Sequence, residues 1–152
     1  AMLERVIAAH RRQLGPDSPV TAMSVRHLGD HYLRIGQPAR AMPLYEESLR
    51  ATEASQGAKS PLVARPLNNI AEAAIALHQP ARAIAAYERA LTLSSDEDPL
   101  HAGVAFELAK LLRPSAPARA KELATKARAL FVAQGEPGAP DVAKVDAWLR
   151  AP

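Results

Sequence analysis

The sequence predicts an all-α protein built as a stack of antiparallel helix pairs. Three observations predict it. Apolar residues recur at helical rather than alternating spacing along nearly the whole chain. A block of two helices joined at a proline recurs after 42 residues, with residues 67–93 as its clearest copy. Alanine supplies about a fifth of the 152 residues and aromatic side chains only 4%. Small residues in that proportion suit helices whose axes approach closely, whereas a sheet draws on β-branched and aromatic side chains.

Residues 3–14 place Leu3, Val6, Ile7, His10 and Leu14 on one side of a helix without a mate, which Gly15-Pro16 stops. Asp17, Ser18 and Pro19 form a start signal: a short polar side chain can cap free backbone N–H groups, and proline takes the first turn. The helix they open turns Val25, Leu28, Tyr32 and Ile35 inward, and Gly36 ends it with Pro38 close behind. The next helix presents Met42, Tyr45 and Leu49 on one side. After the loop Gln56-Gly57-Ala58-Lys59, the pair Ser60-Pro61 repeats the start signal 42 residues after Ser18-Pro19. Leu67, Ile70, Ala74 and Leu77 then share a helix face, and beyond Gln79-Pro80 the partner stripe is Ile84, Tyr87 and Leu91. Asp98-Pro99 opens a third pair, with Val104, Leu108, Leu111 and Leu112 before Pro114, then Leu123, Ala127, Leu130 and Phe131 before Gly135. A last amphipathic helix carries Val142, Val145, Trp148 and Leu149. Pro43 and Pro66 are expected beyond the first turn of their helices, where a missing N–H and a ring clash bend the axis.

Shifted by 42, Leu28 matches Ile70, Gly29 matches Ala71, Ala39-Arg40-Ala41 match Ala81-Arg82-Ala83, Tyr45-Glu46 match Tyr87-Glu88, and Leu49 matches Leu91. Gly29 with Ala41, and Ala71 with Ala83, fall where paired helices touch, and each tyrosine ring is expected to fill the gap to the next pair. In the third copy the shift drops to 38 before the turn (Ile70 to Leu108) and 37 after it (Ala83 to Ala120), and Ala124 replaces the tyrosine. This pattern, with a large, a small and an aromatic residue on the first helix and Ala, Tyr, Ala on the second, resembles the tetratricopeptide repeat family. The 42-residue spacing, the Ser-Pro or Asp-Pro start and the run from Asn68 to Ala74 resemble its longer, kinesin-light-chain-like variety. Ser48 departs from the usual alanine, and Ala74 stands where the first copy has Tyr32.

The resemblance implies a right-handed α-α superhelix. It divides the chain into the second helix of an incomplete repeat at 3–14, repeats at 19–56, 61–94 and 99–134, and a solvating cap at 138–150. All belong to one domain across 1–152, expected to be a fragment of a longer array.

Composition narrows the function. The formal net charge of +3 is spread without a long block of one sign, which argues against nucleic acid as a partner. The absence of cysteine removes disulfides, thiol nucleophiles and cysteine metal sites. No apolar run approaches the ~20 residues of a membrane span and no signal peptide is evident, so no membrane insertion and a cytoplasmic location are expected. The Ala, Arg and Pro bias suggests a bacterial, GC-rich genome.

His27 and His31 have the four-residue spacing of a helical metal pair, but Leu28 stands where a zinc protease needs glutamate, and no third ligand is evident. Nucleophile elbows and phosphate loops are absent, and the carboxylate pairs Glu46-Glu47 and Asp96-Glu97-Asp98 suit an exposed helix side and a helix start. No catalytic residue, metal or cofactor is expected. Trp148 reads as a residue of the cap.

The first helix of each pair should line the inner surface of the stack, exposing Met23, Arg26, His27, Asp30 and Arg34, then Arg65, Asn68, Asn69, Glu72 and Ala76, then Phe106, Glu107, Lys110 and Arg113. The resemblance implies an extended peptide there, with an asparagine at Asn68 or Asn69 bonding its backbone and basic residues meeting its carboxylates. Adjacent residues are about 100° apart on a helix, so one of the two asparagines is expected to face the groove squarely. The expected function is a non-enzymatic protein-protein interaction module whose partner is a protein or peptide, held by Arg26, Asp30, Arg65, Asn68, Asn69, Glu72, Lys110 and Arg113. The alternatives are a self-associating structural module, a homodimer through the N-terminal helix, or a regulatory docking segment of a larger signalling protein such as a kinase or transcription regulator.

Overall fold

The computed structural model describes residues 2–151. Their eight helices are α1 (Met2–Leu14), α2 (Pro19–Arg34), α3 (Pro38–Gln56), α4 (Ala64–Ala76), α5 (Pro80–Leu93), α6 (Pro99–Leu112), α7 (Pro117–Ala133) and α8 (Ala139–Arg150), with no strand among the described residues. The start signals work as caps. Ser18 Oγ accepts from Val20 N at 3.3 Å, Ser60 Oγ from Leu62 N at 3.3 Å and Asp98 Oδ1 from Leu100 N at 2.9 Å. The second helix of each pair instead begins directly at Pro38, Pro80 or Pro117, without a side-chain cap.

Pairing follows chain order. Helix α2 packs on α3, α4 on α5 and α6 on α7, while α1, the α3–α4 and α5–α6 steps, and α8 join the pairs into one continuous helical stack, a solenoid. Small residues permit the approach: Ala41, Ala71, Ala83, Ala109, Ala120 and Ala124 are all 0% exposed. One core runs from α3 to α8, and a smaller one joins Ile7 of α1 to Val25 and Leu28 of α2.

Several local expectations change. Pro66 does not bend a helix: a 3-10 turn, Pro61–Val63, precedes α4, so Pro66 lies in the first turn of α4, where its missing N–H costs nothing. Helix α3 does continue through Pro43, which faces solvent. Ile35 is exposed at the end of α2 rather than turned inward. Ser48, the departure from alanine, is 2% exposed and donates to the Ala22 carbonyl of α2 at 2.9 Å, so its hydroxyl is satisfied inside the contact. Tyr45 packs within its own pair as well as toward α4: a Cβ built on Gly29 would lie 2.6 Å from its Cε1.

Gly36 ends α2 with φ 72°, and 42 residues later His78 adopts φ 57° in the corresponding turn after α4. The copied backbone thus places a β-carbon in the left-handed region that glycine occupies without cost.

Candidate partner-binding groove

The inner face is built from α2, α4 and α6, each of which contributes residues four apart. On α2, Arg26 Nη1 donates to Asp30 Oδ2 at 3.1 Å. On α4, Asn68 Nδ2 donates to Glu72 Oε1 at 2.9 Å. On α6, the Lys110 ammonium lies 5.3 Å from the centre of the Phe106 ring and 2.6 Å from Glu107 Oε1. Between α2 and α4 lies a cavity of about 430 Å³, and between α4, α6 and the start of α8 another of about 540 Å³. Asn68 and Glu72 line both, so the two form one groove that turns over the middle of α4.

Of the two asparagines, Asn68 lines both cavities and faces the groove squarely, whereas Asn69 borders only the first cavity and is turned toward α2. Asn69 is 9% exposed and donates to Asp30 Oδ1 at 3.2 Å, across from α4 to α2. The same Asp30 oxygen accepts from the Tyr45 hydroxyl at 3.0 Å. Asp30 and Asn69, expected as partner-binding groups, therefore form with Arg26 and Tyr45 a network tying α2, α3 and α4 together. Burial raises the Tyr45 phenol well above its ordinary value, and the charge and hydrogen bond of Asp30 add to the shift.

Arg113 has an architectural task too. Its guanidinium donates to the carbonyls of Trp148 (3.3 Å) and Ala151 and lies 4.6 Å above the Trp148 ring, holding the C-terminal end of α8, where carbonyls lack helical partners. Trp148 meets Phe106 edge to face, centroids 5.9 Å apart, which seats α8 on α6. Arg65 is exposed and makes no hydrogen bond or ion pair among the described residues. Arg34 is also exposed, its Nη2 3.4 Å from His31 Nδ1.

Glu72 reaches solvent, yet helices wall it in. That loss of surrounding water raises its carboxyl above the ordinary range; the Asn68 hydrogen bond pulls it back, and the charges of Asp30 and Glu107 push it up further. His27 and His31 turn toward arginines: Arg26 Nη2 is 2.9 Å from His27 Nε2. Among the described residues no three His, Cys, Asp or Glu side chains converge as a metal site.

A family model for the tetratricopeptide repeat matches residues 1–54 and 26–96, together more than half of the chain. The chain belongs to the tetratricopeptide repeat family. Its fold is similar to two solved structures of a Podosopora anserina protein, designated a kinesin light chain with nearly identical TPR-like repeats, one of them a point variant. Their TM-scores are 0.75 and 0.73, each at 20% identity, covering 94% of this chain and 73% and 74% of theirs. No curated protein matches the chain. Tetratricopeptide repeats generally mediate protein-protein interaction and typically serve as non-enzymatic scaffolds. Among the described residues, no helix of this tetratricopeptide array is long and apolar enough to cross a membrane.

The periodic pattern overlooked what the array's far end adds to the groove. Gln134, at the end of α7, and Asp141 and Lys144 of α8 line the second cavity, the latter two as an ion pair at 2.8 Å. Their charges, on the amphipathic cap helix, were the available signal. Leu33 lines the first cavity and carries no polar signal at all.

Proposed function

We propose that this domain binds an extended segment of a partner protein along the inner face, with Asn68 bonding the segment's backbone and Arg65 meeting an acidic group. The observation that carries this reading is the uninterrupted groove over Asn68 and Glu72, with Arg65 at its wall uncommitted to any other group among the described residues. A primary amide offers a donor and an acceptor together, which is what an extended backbone presents. Asp30, Asn69 and Arg113 act indirectly by fixing α2, α4 and α8, while Arg26 neutralises Asp30, and Lys110 closes the far end of the wall. The test is capture with the wild-type domain beside Arg65→Ala/Asn68→Ala, followed by calorimetry with the segment identified. The double variant should keep its circular dichroism and melting temperature and lose at least about tenfold in affinity. Equal affinity in the two proteins would remove the groove from the function.

A second reading, self-association through α1, is favoured by its apolar side, where Met2 is 82% exposed and Leu3 and Val6 are each 38% exposed. Light scattering on the chain and on a version starting at Asp17 tests it: a dimer lost on truncation supports this reading, and a monomer in both cases removes it.

A further inference from the structure

Two successive steps of the inner face are copies of one another that differ in charge balance. In the first, the Asp30 carboxylate accepts from the Arg26 guanidinium at 3.1 Å, the Tyr45 hydroxyl at 3.0 Å and the Asn69 amide at 3.2 Å. Forty-two residues later Asn68 replaces Arg26, Glu72 replaces Asp30 and Tyr87 replaces Tyr45. The amide keeps the bond to its carboxylate but brings no positive charge, and Glu72 forms no ion pair among the described residues.

The remaining donors are missing as well. The Tyr87 side chain is fully buried and its hydroxyl has no hydrogen-bond partner among the described residues. At a shift of 38 the counterpart of Asn69 is Glu107, which puts a second carboxylate where the first step has an amide donor. Lys110 answers the charge of Glu107 at 2.6 Å. On the α2 side of Glu72, the 9%-exposed Asn69 lines the first cavity, and its Oδ1 has no hydrogen-bond partner among the described residues. The Glu72 carboxylate therefore has no ion pair among the described residues, although Arg65 lines the same cavity, and the raised carboxyl of Glu72 is consistent with that missing partner.

We propose that the groove at Glu72 takes a basic side chain, arginine or lysine, from the bound peptide, so that the partner supplies the cation that Arg26 supplies in the preceding repeat. The proposal rests on the reading that the inner face binds a peptide. A guanidinium suits the place best, because its fork of donors can engage Glu72 while reaching toward Glu107. In a recess walled by helices such a pair is less screened than on an open surface.

A random twelve-residue peptide library displayed on phage, selected on the immobilised domain, tests this. Recovered peptides are synthesised and measured by fluorescence polarisation against wild type, Arg65→Ala/Asn68→Ala, Glu72→Gln and Asn68→Arg, each checked for folding by circular dichroism. Peptides that depend on Arg65 and Asn68 should contain an Arg or Lys whose replacement by citrulline or norleucine weakens binding about tenfold, with no further loss in Glu72→Gln. Asn68→Arg would build a counterpart of the Arg26–Asp30 pair at Glu72 inside the chain; whatever affinity is lost with the amide, the ratio of binding between a basic peptide and its citrulline or norleucine version should fall to about one in a folded domain. Groove-dependent peptides that tolerate citrulline or norleucine without loss overturn this proposal and leave the groove reading standing. If no recovered peptide responds to Arg65→Ala/Asn68→Ala, the groove reading falls and this proposal falls with it.

Discussion

Replacing Gly29 by alanine sets two opposing effects against each other in the middle of α2. Alanine is the better helix former by about 1 kcal/mol, so an unopposed substitution would stabilise the domain. The added Cβ, however, would lie 2.6 Å from Tyr45 Cε1 and 2.9 Å from Cδ1. The ring is 0% exposed and tethered by its hydroxyl to Asp30 at 3.0 Å. Either the contact stays compressed, at about 1–3 kcal/mol, or the ring retreats and gives up a hydrogen bond to a charged acceptor, at about 1.5–3 kcal/mol. These are alternatives, so after the helix gain a net loss of up to about 2 kcal/mol is expected, lowering Tm by up to about 8 °C for a chain of this size. The chain contains its own control: Ala71 stands at the matching place before Tyr87, whose hydroxyl no partner holds. Removing the tether with Tyr45→Phe should therefore let the ring withdraw and make Gly29→Ala much cheaper. Thermal and urea denaturation of the four proteins of this cycle measure the coupling. A single Gly29→Ala variant more stable than wild type, or an equal cost in both backgrounds, would refute the reasoning.

Three further outcomes follow from the same geometry. Because the Glu72 carboxyl is raised in the fold, the unfolded chain gives up its proton first, and stability falls as pH rises from the ordinary value of 4.5 through the raised one. Glu72→Gln should consequently melt higher than wild type at pH 7, with the difference closing toward pH 4; a constant difference would contradict the shift. Burial lowers the 6%-exposed His101, Lys126 adds to the effect, and Asp96, Asp98 and the contact with Ser94 oppose it. Its proton is taken up first by the unfolded chain, so acidification below 6.5 should cost stability, and titrating Tm should show His101→Gln with a shallower loss there. His78→Gly should raise stability by about 1 kcal/mol in urea denaturation by relieving a residue held at φ 57°.

Much of the fold was legible because its signals are local. A capped start at Ser18, Ser60 and Asp98, and a small residue where helices touch, are properties of a few neighbouring residues, and all recur in the chain. The groove was harder to read, since polarity alone does not say which way a polar side chain turns. Asn68 and Asn69 carry the same chemistry about 100° apart, and only the position of Asp30 on the neighbouring helix assigns one to the groove and the other to the helix contact. Arg113 has the inner-face register too, but the end of α8, 35 residues further along, holds it. The reverse holds for Arg82 and Glu88, noted only as repeated letters: Arg82 pairs with Glu46 and Arg119 with Glu88 at 2.8 Å, bridging consecutive second helices. Exposed pairs of that kind add little stability, so their recurrence fits setting the register between repeats.

In a repeat array, packing positions reveal themselves by sameness and binding positions by difference, because every copy must bury the same contact while each inner face meets a different part of the ligand. Gly29 and Ala71, Ala41 and Ala83, Tyr45 and Tyr87 hold nearly constant. The inner rung, at fixed i and i+4 places, changes its chemistry at every step: an ion pair in Arg26–Asp30, an amide on a carboxylate in Asn68–Glu72, a cation over a ring in Phe106–Lys110. Only the middle rung presents a carboxylate without a cation, and it is the one both cavities share. Asn68→Arg changes that rung alone, at a half-buried inner-face position outside the fixed packing set, which is why it can separate recognition from folding where a substitution in the constant positions cannot.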